Sequence, residues 1–305
     1  MSERVLVTGG LGFIGSRLCA ALLDEGARVR IVDDLSGQYA EGTGAAAAAM
    51  LASRGAEVTI AGADPAQLDR VDAVIHLAAL PGVRARRPPS AFHAANVRLT
   101  ERLARAAGAA GARFVLASSS SVYGNAPELP TPEDALPAPL NPYAASKVGA
   151  EEVAREHARD AVIVRPFSVY GRGQRPEMAF ARWIDSLGAA RPLPWHAAPG
   201  TARDFTYLDD AVAGILAALR RGRSGEAYNV SGWRSVDLRA ALAVLQDALG
   251  ERAVLATTPG SAAEARITHG CGRKAAAVLG YEPRTDLATG LRRQLAAAIP
   301  GRLAA

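Results

Sequence analysis

The sequence predicts an α/β fold, a doubly wound parallel sheet with a smaller C-terminal α/β lobe. Three observations carry this. Apolar runs of strand length at 5–8, 29–32, 58–60, 71–77, 114–117 and 162–164 alternate with segments of helical period, the pattern of strand–helix–strand units. A glycine-rich turn joins the first run to the first helical segment. After Arg165 the texture changes: Pro166, Pro176, Pro192, Pro194 and Pro199 punctuate a region holding several arginines and tryptophans, which reads as loops and short helices.

Taken in order, the run at 5–8 leads directly into Gly9, Gly10, Gly12 and Gly15, and Ile14, Leu18 and Leu22 then recur at helical spacing until Gly26. In a strand-to-helix turn Gly9 permits the tight bend, Gly12 lets the backbone approach a pyrophosphate, and Gly15 allows close helix packing. The first helical turn, which holds Phe13 and Ile14, offers free N–H groups to an anion. The second run ends in Asp33, close to the ~20-residue offset at which a carboxylate meets a ribose diol. The combination is a Rossmann-like dinucleotide site. Because Asp33 repels a 2′-phosphate, NAD is the expected cofactor.

Residues 37–54 read as a glycine-bearing loop that leads into a short alanine-rich helix. Asp64 either reaches the adenine or caps the turn that follows it. The run at 71–77 ends in His76, Leu77, Ala78 and Ala79. Small side chains there let a cofactor pass close to the backbone, so Leu77, Ala78 and Ala79 join the cofactor set. His76, a lone histidine at a buried strand end, is expected to be a packed core residue. Helical patterns follow at 96–107, 204–220 and 235–249, with a further strand at 228–230. The expected division is a cofactor domain over 1–165, extended by 204–231, and a substrate lobe built from 166–203 and 232–305.

The composition, 49% apolar and 21% charged over 305 residues, is that of an ordinary globular protein. Its net charge of +5 is scattered rather than gathered into an aromatic-studded stripe, which argues against a nucleic-acid partner. Two cysteines, Cys19 and Cys271, supply neither a disulfide framework nor a metal cluster, so no metal is expected. No apolar run reaches the length of a membrane span, and the first strand starts too early for a signal peptide to precede it. A cytoplasmic protein with no membrane partner is expected.

The chemistry is concentrated in Ser118, Ser119, Ser120 and Ser121 at the end of the fifth run, with Tyr143 and Lys147 on a following helix. A free tyrosine, with a pKa of about 10, is a poor base at neutral pH. Lys147 lies four residues on, so both side chains share one helical face and the ammonium favours the phenolate. Tyr143 then takes the proton of a substrate hydroxyl while a hydride leaves the same carbon for the nicotinamide, and Ser119 donates a hydrogen bond to that oxygen. A catalytically silent cofactor-binding scaffold needs the glycine turn but none of Ser119, Tyr143 and Lys147.

These segments together resemble the extended short-chain dehydrogenase/reductase family, in particular its sugar-nucleotide epimerases and dehydratases. The likeness runs through residues 8–15, 76–79, 118–124, 143–147, 203–207 and 279–281. It implies bound NAD, a UDP-sugar substrate, and a homodimer formed by the helices containing Asn96 and Tyr143. It also places Arg203 and Arg266 on the diphosphate, where two forked guanidiniums suit the anion. Two positions depart from the family pattern: Ala63 and Cys271 stand where aspartates are common.

Dehydratases of this family carry an Asp-Glu pair after the first hydroxyl residue, and its decarboxylases keep the glutamate. Ser120 and Ser121 stand there instead, which favours 4-epimerisation. Residues 168–179 resemble the corresponding segment of UDP-glucuronate 4-epimerases, a likeness that implies Ser168, Arg175 and Ser121 as holders of the sugar carboxylate, with Ser120 also among the substrate-binding residues. The competing reading pairs Arg175 with Glu177 on a loop. UDP-glucuronate decarboxylation and epimerisation of a neutral UDP-hexose are the alternatives.

Overall fold

Continuous apolar runs mark strands that are buried on both faces, and these pair into one sheet. The computed structural model describes residues 2–37, 42–82, 87–259 and 262–298. The sheet strands are β1 (Arg4–Thr8), β2 (Arg28–Asp33), β3 (Glu57–Ile60), β4 (Ala73–His76), β5 (Arg113–Ala117), β6 (Ala161–Pro166) and β7 (Ala227–Val230). The helices, in chain order, are α1 (Phe13–Asp24), α2 (Thr43–Ser53), α3 (Leu99–Ala110), α4 (Pro142–His157), α5 (Ala179–Gly188), α6 (Leu208–Arg221), α7 (Leu238–Leu249) and α8 (Leu287–Ala298).

All seven strands pair in parallel, in the order β7-β6-β5-β4-β1-β2-β3. Alternate residues serve opposite layers. Val5, Val7, Ile31 and Ile75 pack with Leu18 and Leu22 of α1, Leu51 of α2 and Ile215 of α6. Leu6, Val74, Phe114 and Ile163 pack with Leu103 of α3 and Ala150 and Ala154 of α4. Each such side chain withdrawn from water stabilises by ~1.5–3 kcal/mol, and the two helical layers are held by different, alternating residues of the same strands. The chain leaves β3 at one edge and re-enters beside β1 as β4. That reversal opens a crevice at the carboxyl ends of β1 and β4, where the glycine turn and residues 77–79 emerge.

A separate core lies under α5, α7 and α8, formed by Tyr170, Phe180, Trp183, Leu193, Leu242 and Leu291 among others. It joins the proline-rich segment to the two helices that follow later in the chain. Among the described residues no helix is long and apolar enough to cross a membrane.

Several segments differ from the sequence reading. The pattern at 235–249 is divided: Ser235–Asp237 pairs antiparallel with Ala202–Asp204, and α7 starts only at Leu238. The Asp237 carboxylate fixes that start by accepting from the N–H groups of Arg239 and Ala240. Residues 204–220 likewise begin extended, with Thr206–Tyr207 pairing with Val169–Tyr170 before α6. The helix expected from Asn96 starts earlier, at Pro89–Phe92, and passes through a π-helical turn at His93–Arg98 into α3. Asp64 caps Pro65–Leu68, accepting from Ala66 N at 3.0 Å, while its other oxygen takes Arg102. The loop reading of residues 38–41 lies outside the described residues.

Candidate active site

The glycine turn is closed to side chains. Gly9 stands at φ 72°, and a Cβ there would lie 2.7 Å from the Ala78 nitrogen. A Cβ on Gly15 would lie 2.1 Å from the Gly9 carbonyl oxygen. The turn is thereby drawn tight against residues 77 and 78. Gly12 precedes α1 without a side-chain cap, and the first turn of α1 carries no acidic residue, so no side-chain charge competes there for an anion. Phe13 is buried beside that turn, and Ile14 packs on the sheet.

Asp33, half-buried at the end of β2, accepts from Leu11 N at 3.0 Å through one oxygen and from Leu35 N at 2.9 Å through the other. These bonds fix the carboxylate against the glycine turn. Each oxygen keeps a second lone pair, which is an acceptor edge for a diol. Steric exclusion at Gly9 and Gly15, an uncapped helix start and a fixed carboxylate together fit a dinucleotide.

His76 is a core residue, as its position suggests. The Thr100 hydroxyl donates to the Asn96 carbonyl at 2.6 Å, so its oxygen accepts from His76 Nε2 at 3.1 Å. His76 Nδ1 then accepts from the Thr8 hydroxyl at 2.6 Å. Burial, aided by the nearby Lys147 charge, pushes its pKa down to about 3, and the ring stays neutral.

Ser119 terminates the extended chain after β5 and caps the short turn Ser120–Tyr123. Its Oγ accepts from Ser121 N at 3.2 Å and from the Ser121 hydroxyl at 2.9 Å. Both bonds use the oxygen, so the Ser119 proton remains to be donated. Its hydrogen-bonding partner across the cleft is Tyr143. Pro142 and the Asn141 side chain, which accepts from Ala144 N at 2.9 Å, start α4 one residue before that tyrosine. The Tyr143 ring meets Phe92 edge-on, with centroids 6.3 Å apart. Burial raises the phenol above the ordinary tyrosine range, and the Ser119 bond and the Arg175 charge pull it back.

The four-residue spacing assigns the phenol's counter-charge to Lys147. The Lys147 ammonium donates to the Ala117 carbonyl at the end of β5, at 2.8 Å, and the Arg175 charge draws the phenol's pKa down. Lys147 is 4% exposed, and burial lowers its pKa to about 8 against the opposing charge of Glu151.

Ser120 and Ser121 lie half-buried in the turn after Ser119, and Ser168 lies half-buried where the chain leaves β6, its carbonyl accepting from Thr206 N at 3.3 Å. Arg175 Nε pairs with Glu177 at 2.6 Å. Arg203 donates to the carbonyls of Ala202 and Arg266 and pairs with Glu264 at 3.3 Å. Arg266 is exposed, and its backbone N–H donates to Asn125 Oδ1 at 2.8 Å, just beyond the serine turn. The two arginines expected on a diphosphate therefore share one backbone contact on one rim. Ala63 packs beside the core, and Cys271 is buried with its N–H on the Thr131 carbonyl at 2.9 Å. Among the described residues no group of side chains is arranged to hold a metal ion.

Sequence reasoning missed a buried polar network beneath these residues. Glu151 takes the Ser118 hydroxyl at 2.6 Å and Arg165 through both oxygens at 2.8 and 2.7 Å. Arg165 also donates to the Tyr123 hydroxyl and the Glu133 carbonyl, each at 2.8 Å. The available signal was spacing: Glu151 follows Lys147 by one helical turn, as Lys147 follows Tyr143.

A family profile described as the NAD dependent epimerase/dehydratase family matches residues 5–231. A Bacillus subtilis protein named an uncharacterized UDP-glucose epimerase, YtcB, is 34% identical over 96% of this chain and 97% of its own length. A UDP-glucuronate 4-epimerase of Thermodesulfobacterium geofontis is 32% identical, with 94% of each chain covered. The crystal structure of the UDP-glucuronic acid 4-epimerase from Bacillus cereus, in complex with UDP-glucuronic acid and NAD, superposes with a TM-score of 0.91 at 32% identity, covering 97% of this chain and 98% of that one. With its glycine turn, serine row and Tyr143 helix in one cleft, the chain belongs to the NAD-dependent epimerase/dehydratase family.

Proposed function

We propose that the protein is a UDP-sugar 4-epimerase that converts UDP-glucuronate to UDP-galacturonate through a transient 4-keto sugar. The observation that carries this reading is the serine row: Ser119 and Tyr143 form a proton-transfer pair, and the next two positions hold hydroxyls where elimination needs carboxylates. The likeness to UDP-glucuronate 4-epimerases over nearly the whole chain supports the sugar.

NAD would be held by Gly9, Gly12, Phe13, Ile14, Gly15, Asp33, residues 77–79, Tyr143 and Lys147, and would supply reversible hydride-transfer chemistry there. Tyr143 takes the proton from the sugar 4-hydroxyl, and Ser119 donates to the same oxygen as charge develops. Arg175 lies close enough to favour the phenolate that this requires. With Ser168 and Ser121 it also holds the sugar carboxylate, exchanging Glu177 for the substrate. Arg203 and Arg266 take the diphosphate, Arg203 exchanging Glu264 for it. A 4-keto uronate is a β-keto acid and loses carbon dioxide readily, so a charged clamp on the carboxylate is what separates epimerisation from decarboxylation.

The Arg175–Glu177 ion pair favours a second reading, a neutral UDP-hexose as substrate, since the guanidinium is already paired. Parallel assays with UDP-glucuronate and UDP-glucose decide between them. The first reading predicts higher kcat/KM for UDP-glucuronate, falling ~10–100-fold in Arg175→Ala, about 1.5–3 kcal/mol for a lost charged hydrogen bond. Turnover of UDP-glucose alone selects the second reading, and release of a UDP-pentose selects decarboxylation. Two copies are proposed to associate through the helices containing Asn96 and Tyr143, which light scattering on the purified protein tests.

A further inference from the structure

Lys147 and Glu151, one turn apart on α4, grip consecutive residues where β5 ends. Lys147 donates to the Ala117 carbonyl at 2.8 Å, and Glu151 accepts from the Ser118 hydroxyl at 2.6 Å. The next residue is Ser119. Glu151 is 2% exposed and takes part in no step of the proposed reaction, yet it is the most heavily bonded carboxylate near the cleft. Its other partners are Arg165, which is 3% exposed, and Arg155 at 3.2 Å. Arg165 is itself anchored to β6 and to Tyr123, whose hydroxyl donates to Asn229 Oδ1 of β7 at 2.7 Å.

We propose that Glu151 is a positioning residue: it holds the peptide that presents Ser119 and serves as the counter-charge that keeps Lys147 an ammonium ion. This deepens the reading of the site given above and rests on it. The charged and titratable groups around Lys147 are Glu151 on its own helix, His76 on β4 and, across Glu151, Arg165 on β6 and Arg155 on α4. His76 is held neutral by burial. Glu151 is the one anion among them. Burial alone pushes the Glu151 carboxyl up, but the bonds and charge of Arg165, the Ser118 hydroxyl and Arg155 outweigh it and hold it below the ordinary range. Removing that charge leaves the buried Lys147 ammonium without its counter-charge. A close opposite charge moves a pKa by about 1–3.

The sequence makes the test direct, because the chain has only two lysines, Lys147 and Lys274. Lys274 sits at the surface against Glu226, so Lys274→Arg leaves Lys147 as the sole lysine. In that background, with lysine labelled by 13C at Cε, the chemical shift against pH reports the Lys147 midpoint without any assay of turnover. Glu151→Gln is expected to lower the midpoint by at least about one pH unit. In turnover it lowers kcat with KM little changed and moves the alkaline limb of the pH profile down with the midpoint, while Glu151→Asp restores most of both. An unmoved midpoint in Glu151→Gln overturns the proposal, whatever the substrate proves to be. If Glu151→Gln does not fold, Ser118→Ala cuts only the serine tie. It is then expected to lower kcat several-fold at unchanged Lys147 midpoint, and full kcat in that variant overturns the positioning role.

Discussion

Asn96 grips the backbone of Leu80 from both sides: its Oδ1 accepts from the Leu80 N–H at 2.7 Å, and its Nδ2 donates to the Leu80 carbonyl at 3.0 Å. The same Nδ2 donates to Ser146 Oγ at 2.9 Å, and Ser146 donates to the Tyr143 carbonyl at 2.7 Å. One buried amide thus ties the exit of β4 to the helix that carries Tyr143 and Lys147. The π-helical turn at His93–Arg98 is what places Asn96 at that junction. Replacing Asn96 by Ala leaves both Leu80 backbone groups without their partner, at a cost of about 2–3 kcal/mol. Urea unfolding is expected to show that loss together with a lower kcat. Asn96→Asp, which accepts but cannot donate, is expected to be no better than Ala.

Gly15→Ala places a methyl group 2.1 Å from the Gly9 carbonyl oxygen, a contact that backbone movement alone can relieve. The glycine turn then opens away from residues 77 and 78. The purified variant is expected to hold well under one NAD per chain, measured after acid release. A variant with full NAD content and unchanged thermal stability contradicts the packing argument for this turn.

Asp204 is fully buried, and burial lifts its carboxyl to about 7 in spite of the bonds it accepts from the Gly270 and Gly232 N–H groups. Unfolded, the same group titrates near ~4. A raised folded value means that the buried neutral acid contributes stability below about pH 4, and that the contribution is lost as pH rises through about 7. The loss is on the order of a few kcal/mol. Thermal unfolding of the wild type is expected to weaken between pH 5 and 8 more steeply than that of Asp204→Asn. Parallel slopes would place the carboxyl in its ordinary range.

The sheet was legible because β1, β5 and β6 carry continuous apolar runs that serve both faces, and no alternative pattern competes for such runs. The cofactor turn was legible because Gly9 and Gly15 are sterically obligatory. What escaped was set by partners distant in sequence. Arg165 and Glu151 read as ordinary charges, yet each is buried by the other across two elements. Lys147 reads as the partner of Tyr143 by helical spacing, and its bond to the Ala117 carbonyl went unread because a backbone group has no sequence signature. The start of α7 was misplaced because residues 235–237 meet a strand more than thirty residues away, which outweighs their helical period.

The most direct measurement follows the hydride itself. UDP-glucuronate carrying deuterium at C4 is incubated with the purified protein, and the sugar is read by NMR and mass spectrometry. If Ser119 and Tyr143 serve an oxidation that is undone on the other face, UDP-galacturonate forms with the deuterium still at C4, and Tyr143→Phe slows this by ~10²–10⁴ while retaining NAD. Loss of the label to solvent, release of a UDP-pentose, or no UDP-galacturonate at all would contradict it.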